Sequence, residues 1–396
     1  MLSVFRPEFR AVLAACCAIL VGIGLSRFAY SPLVPAMIDA NWFSPQAAAY
    51  LGAANLAGYL AGAILGRVIT RQFRLTTILR GAMLLSALSF ITCAVPASFW
   101  WFFPWRVLSG ITGGVLMVLA APAVLPGLPQ RLRGRAAGVI FAGVGIGIVL
   151  SGTLVPLLLE INLSVVWVTL AVISMLLTLM TWNFWPAENP AAKPENRATA
   201  TKQANVSVPL AAYIITIAYA LIAVSFVPHM VLLSDVIARN LGLGIAAAAN
   251  SWILFGIGAM IGPVLAGWLA DRLTFGPALL IFIAFEIPAI AAPALIASPL
   301  ALNISGLLVG AAVPGVVPLV LGRVHEMIGD QATRHKIWSL ATVTFASGQA
   351  AAGYGFSWLY TQPDTGFGIL FEVAAASLFC ALLFLLWPVR KIRQPV

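Results

Sequence analysis

Long apolar stretches alternate with short polar seams along the whole chain, and the stretches keep a nearly constant length. They run at about 11–36, 47–70, 76–96, 100–126, 135–159, 164–185, 209–236, 245–270, 276–297, 299–322, 336–360 and 366–388. Each is close to the roughly 20 residues an α-helix needs to cross the hydrocarbon core of a bilayer, so twelve transmembrane helices are predicted. The seams at 96–100 and 297–299 are only tight Pro/Ser turns, which leaves eleven as the alternative count. The first run is too long for a signal-peptide core and leads straight into further spans, so it reads as a retained helix.

Composition agrees with this pattern. Of 396 residues, 61% are hydrophobic and 9% charged, against about 45–50% and about 25% in ordinary soluble domains. Twelve spans use about 240 residues and leave no room for a sizeable soluble domain, which excludes a membrane-anchored soluble enzyme. The four cysteines, Cys16, Cys17, Cys93 and Cys380, lie in apolar runs without pairing or metal-ligand spacing. Neither disulfide, metal nor cofactor is expected.

The formal charge of +10 changes the picture once it is placed on the map. Nineteen of the 22 Lys and Arg fall on one side: Arg6 and Arg10, Arg67 to Arg80, Arg131 to Arg135, Lys193 to Lys202, Arg272, Arg323 to Lys336, and Arg390 to Arg393. The opposite loops hold Asp39, Glu160 and Asp364, with Arg239 as their single basic residue. Basic loops stay cytoplasmic, so both termini are expected inside the cell, in the inner membrane. The charge is a topology signal, and no nucleic-acid partner is implied.

Residues 186–208 break the pattern, being polar, Pro-rich and charged. They suit a cytoplasmic linker between an N-terminal six-helix bundle (1–185) and a C-terminal one (209–396). The bundles read as copies of one unit. Gly58, Gly62 and Gly66 precede Arg71 in the second helix, and Gly258, Gly262 and Gly267 precede Asp271 and Arg272 about 200 residues later. Glycines four apart share a helix face and permit close backbone approach.

The segment G-W-L-A-D-R, Gly267 to Arg272, resembles the cytoplasmic signature of the major facilitator superfamily. The first half keeps a degenerate form, Gly66 to Arg71, with Thr70 where the acid is usual and Phe73 where glycine is usual. Arg106, Gly110 and Gly114 resemble the superfamily's R-x-x-x-G pattern, and the glycine motif of its antiporters is present loosely from Gly138 to Pro156. The run from Gly24 through Arg27, Tyr30, Pro32 and Pro35 to Met37 resembles the first helix of the YbfB/YjiJ-type branch. The resemblance implies two pseudosymmetric six-helix bundles around a central cavity, worked by alternating access. The first, fourth, seventh and tenth helices would line the cavity, and the second, fifth, eighth and eleventh would form the moving interface.

Few ionisable residues lie inside the spans, and each costs about 2.5–3.5 kcal/mol to insert, which makes it a functional candidate. Arg27, deep in the first helix with Tyr30 on its face, is a permanent cation suited to an anionic group; alternatively it ties to a neighbouring helix. Arg106 lies near a tryptophan cluster and either snorkels to headgroups or takes part in coupling or binding, with Gly110 and Gly114 leaving room beside it. Glu286 and Glu372 are candidate proton carriers or structural hydrogen bonders on scaffold helices. His229, 202 residues after Arg27, is expected near the pseudosymmetric position across the cavity, where it could bond a substrate or accept a proton. Asn55, Asn250 and Gln349 add polar contacts on interface helices, and Trp252, Trp338 and Phe226 add stacking surface. Asp39 and Asp235 read as outer gate or surface residues.

The expectation is therefore a monomeric transporter with no catalytic residues. Arg27, Tyr30, Asn55, His229, Trp252 and Gln349 would bind a small-molecule substrate. Arg106, Glu286 and His229 would couple protons. Gly267, Asp271 and Arg272 would form a conformational lock with Arg135, because Asp271 would face the start of the fifth helix and hold the outward-facing state. Export is favoured by Arg106 with its glycines; import of a small anionic metabolite, motivated by Arg27, is the alternative. A non-transporting membrane sensor is the third reading.

Overall fold

A computed structural model describes residues 7–186, 210–362 and 366–387. The linker expected at 186–208 lies outside them apart from Pro186. Among the described residues the regular structure is helical, and twelve helices of membrane-spanning length follow one another: α1 (Pro7–Asp39), α2 (Pro45–Ile69), α3 (Leu75–Thr92), α4 (Phe99–Val124), α5 (Gln130–Leu159), α6 (Leu163–Thr181), α7 (Leu210–Asn240), α8 (Gly244–Leu273), α9 (Phe275–Leu295), α10 (Pro299–Met327), α11 (Gln331–Leu359) and α12 (Gly368–Leu386). Eleven are also apolar enough along their length to cross a bilayer. The exception is α11, which carries Thr342, Thr344, Ser347 and Gln349 in its middle. It packs between α2 and α7, where those polar groups meet protein.

The tight seams do separate helices, so the count of twelve stands over eleven. Ser98 caps α4 by accepting from Trp101 N at 3.3 Å, and Pro299 opens α10 where its missing N–H costs nothing. Gly242 and Gly244 sit at φ +66° and +81° and allow the three-residue turn from α7 to α8.

The repeat read from the glycines is a packing repeat. In the first half α1 packs on α5, α2 on α4, and α3 on α6; in the second, α7 on α11, α8 on α10, and α9 on α12. A Cβ added to Gly58 would lie 2.1 Å from Val107 O and one on Gly62 2.1 Å from Ile111 O; in the second half Gly258 meets Leu307 O at 2.1 Å and Gly262 meets Ala311 O at 1.9 Å. Facing glycines complete each crossing, with Gly110 against Asn55 O and Gly310 against Phe255 O. No side chain fits between these backbones, so small residues hold both crossings by van der Waals contact.

The halves meet through α5 with α8, α2 with α11, and the middle and outer parts of α1 with α7. Their close approaches, Gly145 to Met260, Gly152 to Ile253 and Gly353 to Ala53 and Leu56, all lie from mid-helix toward the end remote from the basic loops. Toward the basic end, a Cβ on Gly138 of α5 or Gly267 of α8 would meet nothing within 4 Å.

Candidate functional site

Helix α1 is not regular where it passes the middle of the molecule. A π-helical stretch, Leu20–Leu25, leads into a turn at Ser26–Ala29 before the α-helix resumes at Tyr30. Pro32 and Pro35 follow, and neither can donate to the ladder. The Ser26 carbonyl accepts three side-chain donors from other helices: Arg106 Nη1 at 3.1 Å, Ser109 Oγ at 3.1 Å and Asn55 Nδ2 at 3.4 Å. Asn55 also donates to Ser109 Oγ at 3.0 Å, so α2 and α4 together clamp the break in α1. Irregular helix turns of this kind recur at functional sites.

Arg27 leaves α1 just after this break. Its Nη2 donates to Gln349 Oε1 of α11 at 2.7 Å and points at Met230 Sδ of α7 at 4.0 Å. The guanidinium lies 5.0 Å from the Tyr59 ring centre, and its Nε is buried without a partner. Arg106 is 2% exposed, sits 4.1 Å over the Tyr30 ring and also has an unpartnered Nε. Tyr30 itself is anchored by a hydrogen bond to Ala48 O at 2.7 Å. Arg27, Tyr30, Gly52, Asn55, Leu56, Arg106, Met230 and Val231 enclose one small cavity of ≈ 10 Å³, enough for about one water. None of these residues is an acid.

Several expected placements change. The residue facing Arg27 across the halves is Met230, 203 positions away, and Ser31 meets Ser234 at the same separation, 3.2 Å apart. His229 is one residue earlier, in the π-helical stretch Pro228–Leu232, and therefore points to a different face of the helix. It is fully buried inside the second half, with Nε2 2.8 Å from Ser305 Oγ and its ring edge-on to Phe371. Ser305 donates to Ala289 O at 2.6 Å, so His229 Nε2 carries the hydrogen and Nδ1 has no partner. Arg106 does not snorkel to a headgroup, and Gly110 and Gly114 leave no room beside it, because the α2 backbone at Asn55 and Tyr59 fills that space.

The other candidates separate into groups. Trp252 is buried where α8 meets α5, stacked on Phe255 and donating to Ser151 Oγ at 3.3 Å; it does not line the cavity. Glu286 is buried in the second half on α9, and neither carboxyl oxygen has a partner. Glu372 and Asn250 are exposed. Asp271 and Arg135 are both exposed at the basic end, and among the described residues no ion pair joins them; Arg272 lies 3.8 Å over the Trp268 ring and Gly267 faces open space.

At the opposite end a polar cluster closes the molecule. Arg239 Nε pairs with the buried Asp235 at 2.7 Å and its Nη1 reaches Asp39 of the first half at 3.9 Å. Tyr360 of α11 donates to Asp235 and lies 2.7 Å from the Asn240 amide oxygen. Sequence reasoning missed Tyr59, Ser109 and Tyr360. Nothing in the local pattern singles out these side chains, which become partners only through helix packing.

The comparisons with known proteins agree with the geometry. Structural neighbours include a D-xylose-proton symporter (TM-score 0.75, 17% identity, 96% of this chain and 97% of that one) and a point mutant of the nucleoside transporter NupG (0.75, 14%, 97% and 100%). A partially occluded inward-open form of the xylose transporter XylE from E. coli matches at TM-score 0.71 with 16% identity over 98% and 100%. At these identities the likeness shows the fold. No curated protein matches the chain. The family model described as "Uncharacterised MFS-type transporter YbfB" matches residues 19–386, and the chain, a multi-pass membrane protein of twelve helices in two pseudosymmetric bundles, belongs to this YbfB-type family of major facilitator transporters.

Proposed function

We propose that this transporter moves a small organic anion across the inner membrane by alternating access, with protons as the coupling ion. The observation that carries the reading is Arg27: a permanent cation at the junction of the two halves, with a buried unpartnered Nε, only a neutral amide and a thioether as hydrogen-bond acceptors among the described residues, and no acid in its cavity. An intramembrane charge left in this state is costly, and an incoming carboxylate or similar group supplies the missing counter-charge. Arginine offers five donors in a planar fork, and only one is engaged by an oxygen here.

The contact between Arg27 and Gln349 also links occupancy to motion. It ties α1 to α11 across the halves, and an anion that takes the guanidinium releases that tie. With the basic end assigned to the cytoplasm by the positive-inside rule, both termini are read as cytoplasmic and the conformation as inward-facing: the halves meet at the outer end through Arg239, Asp39, Ser31 and Ser234, while Gly138 and Gly267 near the inner end have open space beside them. Asp271 with Gly267 and Arg272 would engage Arg135 when the inner end closes, locking the outward-facing state; their separation here fits a released lock. In the second half Glu286 and His229 are buried titratable groups, with Ser305 linking His229 to α9 one turn beyond Glu286. They are the proposed proton carriers. Arg106, which keeps its proton, belongs with the substrate site instead. The glycines that favoured export are occupied by packing against α2.

The test is a thermal-shift screen of the purified protein with anionic and neutral metabolites, since a ligand that binds only the folded state raises its melting temperature. Hits go into proteoliposome counterflow with wild type and Arg27→Ala. Anions should bind and exchange in wild type and lose both activities in Arg27→Ala. Equal counterflow by Arg27→Ala would refute the anion site, and binding without counterflow would indicate a sensor.

A further inference from the structure

The cavity is lined by two cations, the partly exposed Arg27 and the buried Arg106, and the pseudosymmetry shows that they belong to one half. The contacts between Arg27 and Met230 and between Ser31 and Ser234 relate α1 to α7 by a separation of 203 residues. The glycine crossings relate Asn55 to Phe255, because Gly110 packs on Asn55 O as Gly310 packs on Phe255 O. By the same matching of Gly110 to Gly310, an offset of 200, Gly306 stands where Arg106 does. Every charged or amide group of the first-half site thus has an uncharged, non-amide counterpart: Met230 for Arg27, Gly306 for Arg106, Phe255 for Asn55. The second half contributes Met230 and Val231 to the cavity wall.

Arg106 has a structural duty, holding Ser26 O where α1 breaks, but that duty does not explain its charge. Asn55 and Ser109 already donate to the same carbonyl without one. Removing a guanidinium from water with no acid beside it is expensive, and the acids described elsewhere are engaged or distant from the cavity wall: Asp235 with Arg239 and Tyr360, Asp39 at the exposed outer end, and Glu286 inside the second half. Arg27 and Arg106 bracket Tyr30, which stacks against one while its backbone continues from the other.

Resting on the anion reading above, we infer that the site takes a solute with two negative charges, a dicarboxylate or a phosphomonoester, held by Arg27 and Arg106 of the first half with its uncharged part against Met230 and Val231 of the second. The cavity is too small for such a solute while Gln349 holds Arg27, so binding displaces Gln349 and widens the space between α1 and α7. Arg27 is the first contact because it is the partly exposed member of the pair, and Arg106 supplies the second charge behind Tyr30.

The experiment uses the full-length purified protein and two probe series, measured by thermal-shift titration. One series is the α,ω-dicarboxylates from malonate to adipate with their monomethyl esters; the other is phenyl phosphate with its monomethyl ester. Each ester keeps the size and removes one charge. The dianion should bind at least about tenfold more tightly than its ester, and the series that responds identifies the anionic group. Arg106→Gln should bring dianion and ester to the same affinity, whereas Arg27→Gln should weaken both. Esters that bind as tightly as their dianions, or a preference that survives Arg106→Gln, would overturn the two-charge inference while leaving an anion site in place. No response to either series, or equal binding of the neutral diamides, would overturn the anion reading as well. If Arg106→Gln does not fold, the wild-type ratio of dianion to ester decides alone.

Discussion

Replacing Gln349 by Glu puts the central claim, an arginine waiting for a counter-charge, to a direct test. Gln349→Glu keeps the shape of the side chain and the 2.7 Å contact to Arg27 Nη2 while adding the acid that the cavity lacks. Charges about 4 Å apart at an effective dielectric of about 20 attract by about 4 kcal/mol. An incoming anion must compete with that attraction. At about 1.4 kcal/mol per factor of ten, anion affinity should fall by roughly two to three orders of magnitude. The folded protein should not suffer in parallel: the new carboxylate is desolvated, but it compensates a guanidinium whose desolvation is already part of the native state. Thermal-shift titration with the wild-type ligand reads both quantities, since the unliganded melting temperature reports stability and the ligand dependence reports affinity. Gln349→Leu removes the acceptor without adding charge and should not weaken anion binding. Unchanged affinity in Gln349→Glu, with a melting temperature at or above wild type, would refute the assignment of Arg27 to the substrate.

Four further substitutions address the scaffold, the gates and the coupling. Gly262→Val should lower the melting temperature strongly, because even its Cβ would lie 1.9 Å from Ala311 O and overpacking of this kind costs at least about 1–3 kcal/mol; Gly134→Ala, with nothing within 4 Å, is the control, and equal effects of the two would contradict the crossing. Asp39→Asn should shift the population toward outward-facing by less than about fivefold, since its pair with Arg239 is 3.9 Å long with 57% of the Asp39 side chain exposed, and exposed pairs are worth about 0.2–1 kcal/mol. Asp271→Asn should shift it the other way, toward inward-facing; distances between spin labels on the two halves measure both, and an unchanged distribution in Asp271→Asn would remove it from the lock. Glu286→Gln should abolish uptake driven by a pH gradient while sparing counterflow, which needs no proton; full pH-driven uptake would exclude Glu286 as the carrier.

The helices, their number and the repeat were legible in the sequence because each rests on a local property. Span length is set by bilayer thickness, and helix starts by caps such as Ser98 and Asn162, which bond their own following backbone. The glycines marked the crossings because only they let two backbones touch, and the same spacing appears in both halves. Arg27, Arg106 and Asn55 stood out for a related reason, since polar groups deep in an apolar run are rare enough to be counted.

What those residues face was not legible. Assigning His229 to the position across from Arg27 missed by a single residue, yet on a helix that step turns the side chain to another face, from the cavity into the interior of the second half. Arg106 could be read equally as a snorkelling surface residue until α1 and α2 closed over it. The pairing of Arg27 with Gln349 spans 322 positions and that of Tyr360 with Asp235 spans 125, and the register between such distant helices is decided by the packing of every helix in between. The sequence alone therefore determined a membrane protein of twelve helices in two related halves, because hydrophobic length and backbone contact are properties of single segments. Only the tertiary structure decided that its two central arginines share one acid-free cavity while Glu286 and His229 lie elsewhere, because the direction a side chain faces is set by how helices rotate against one another.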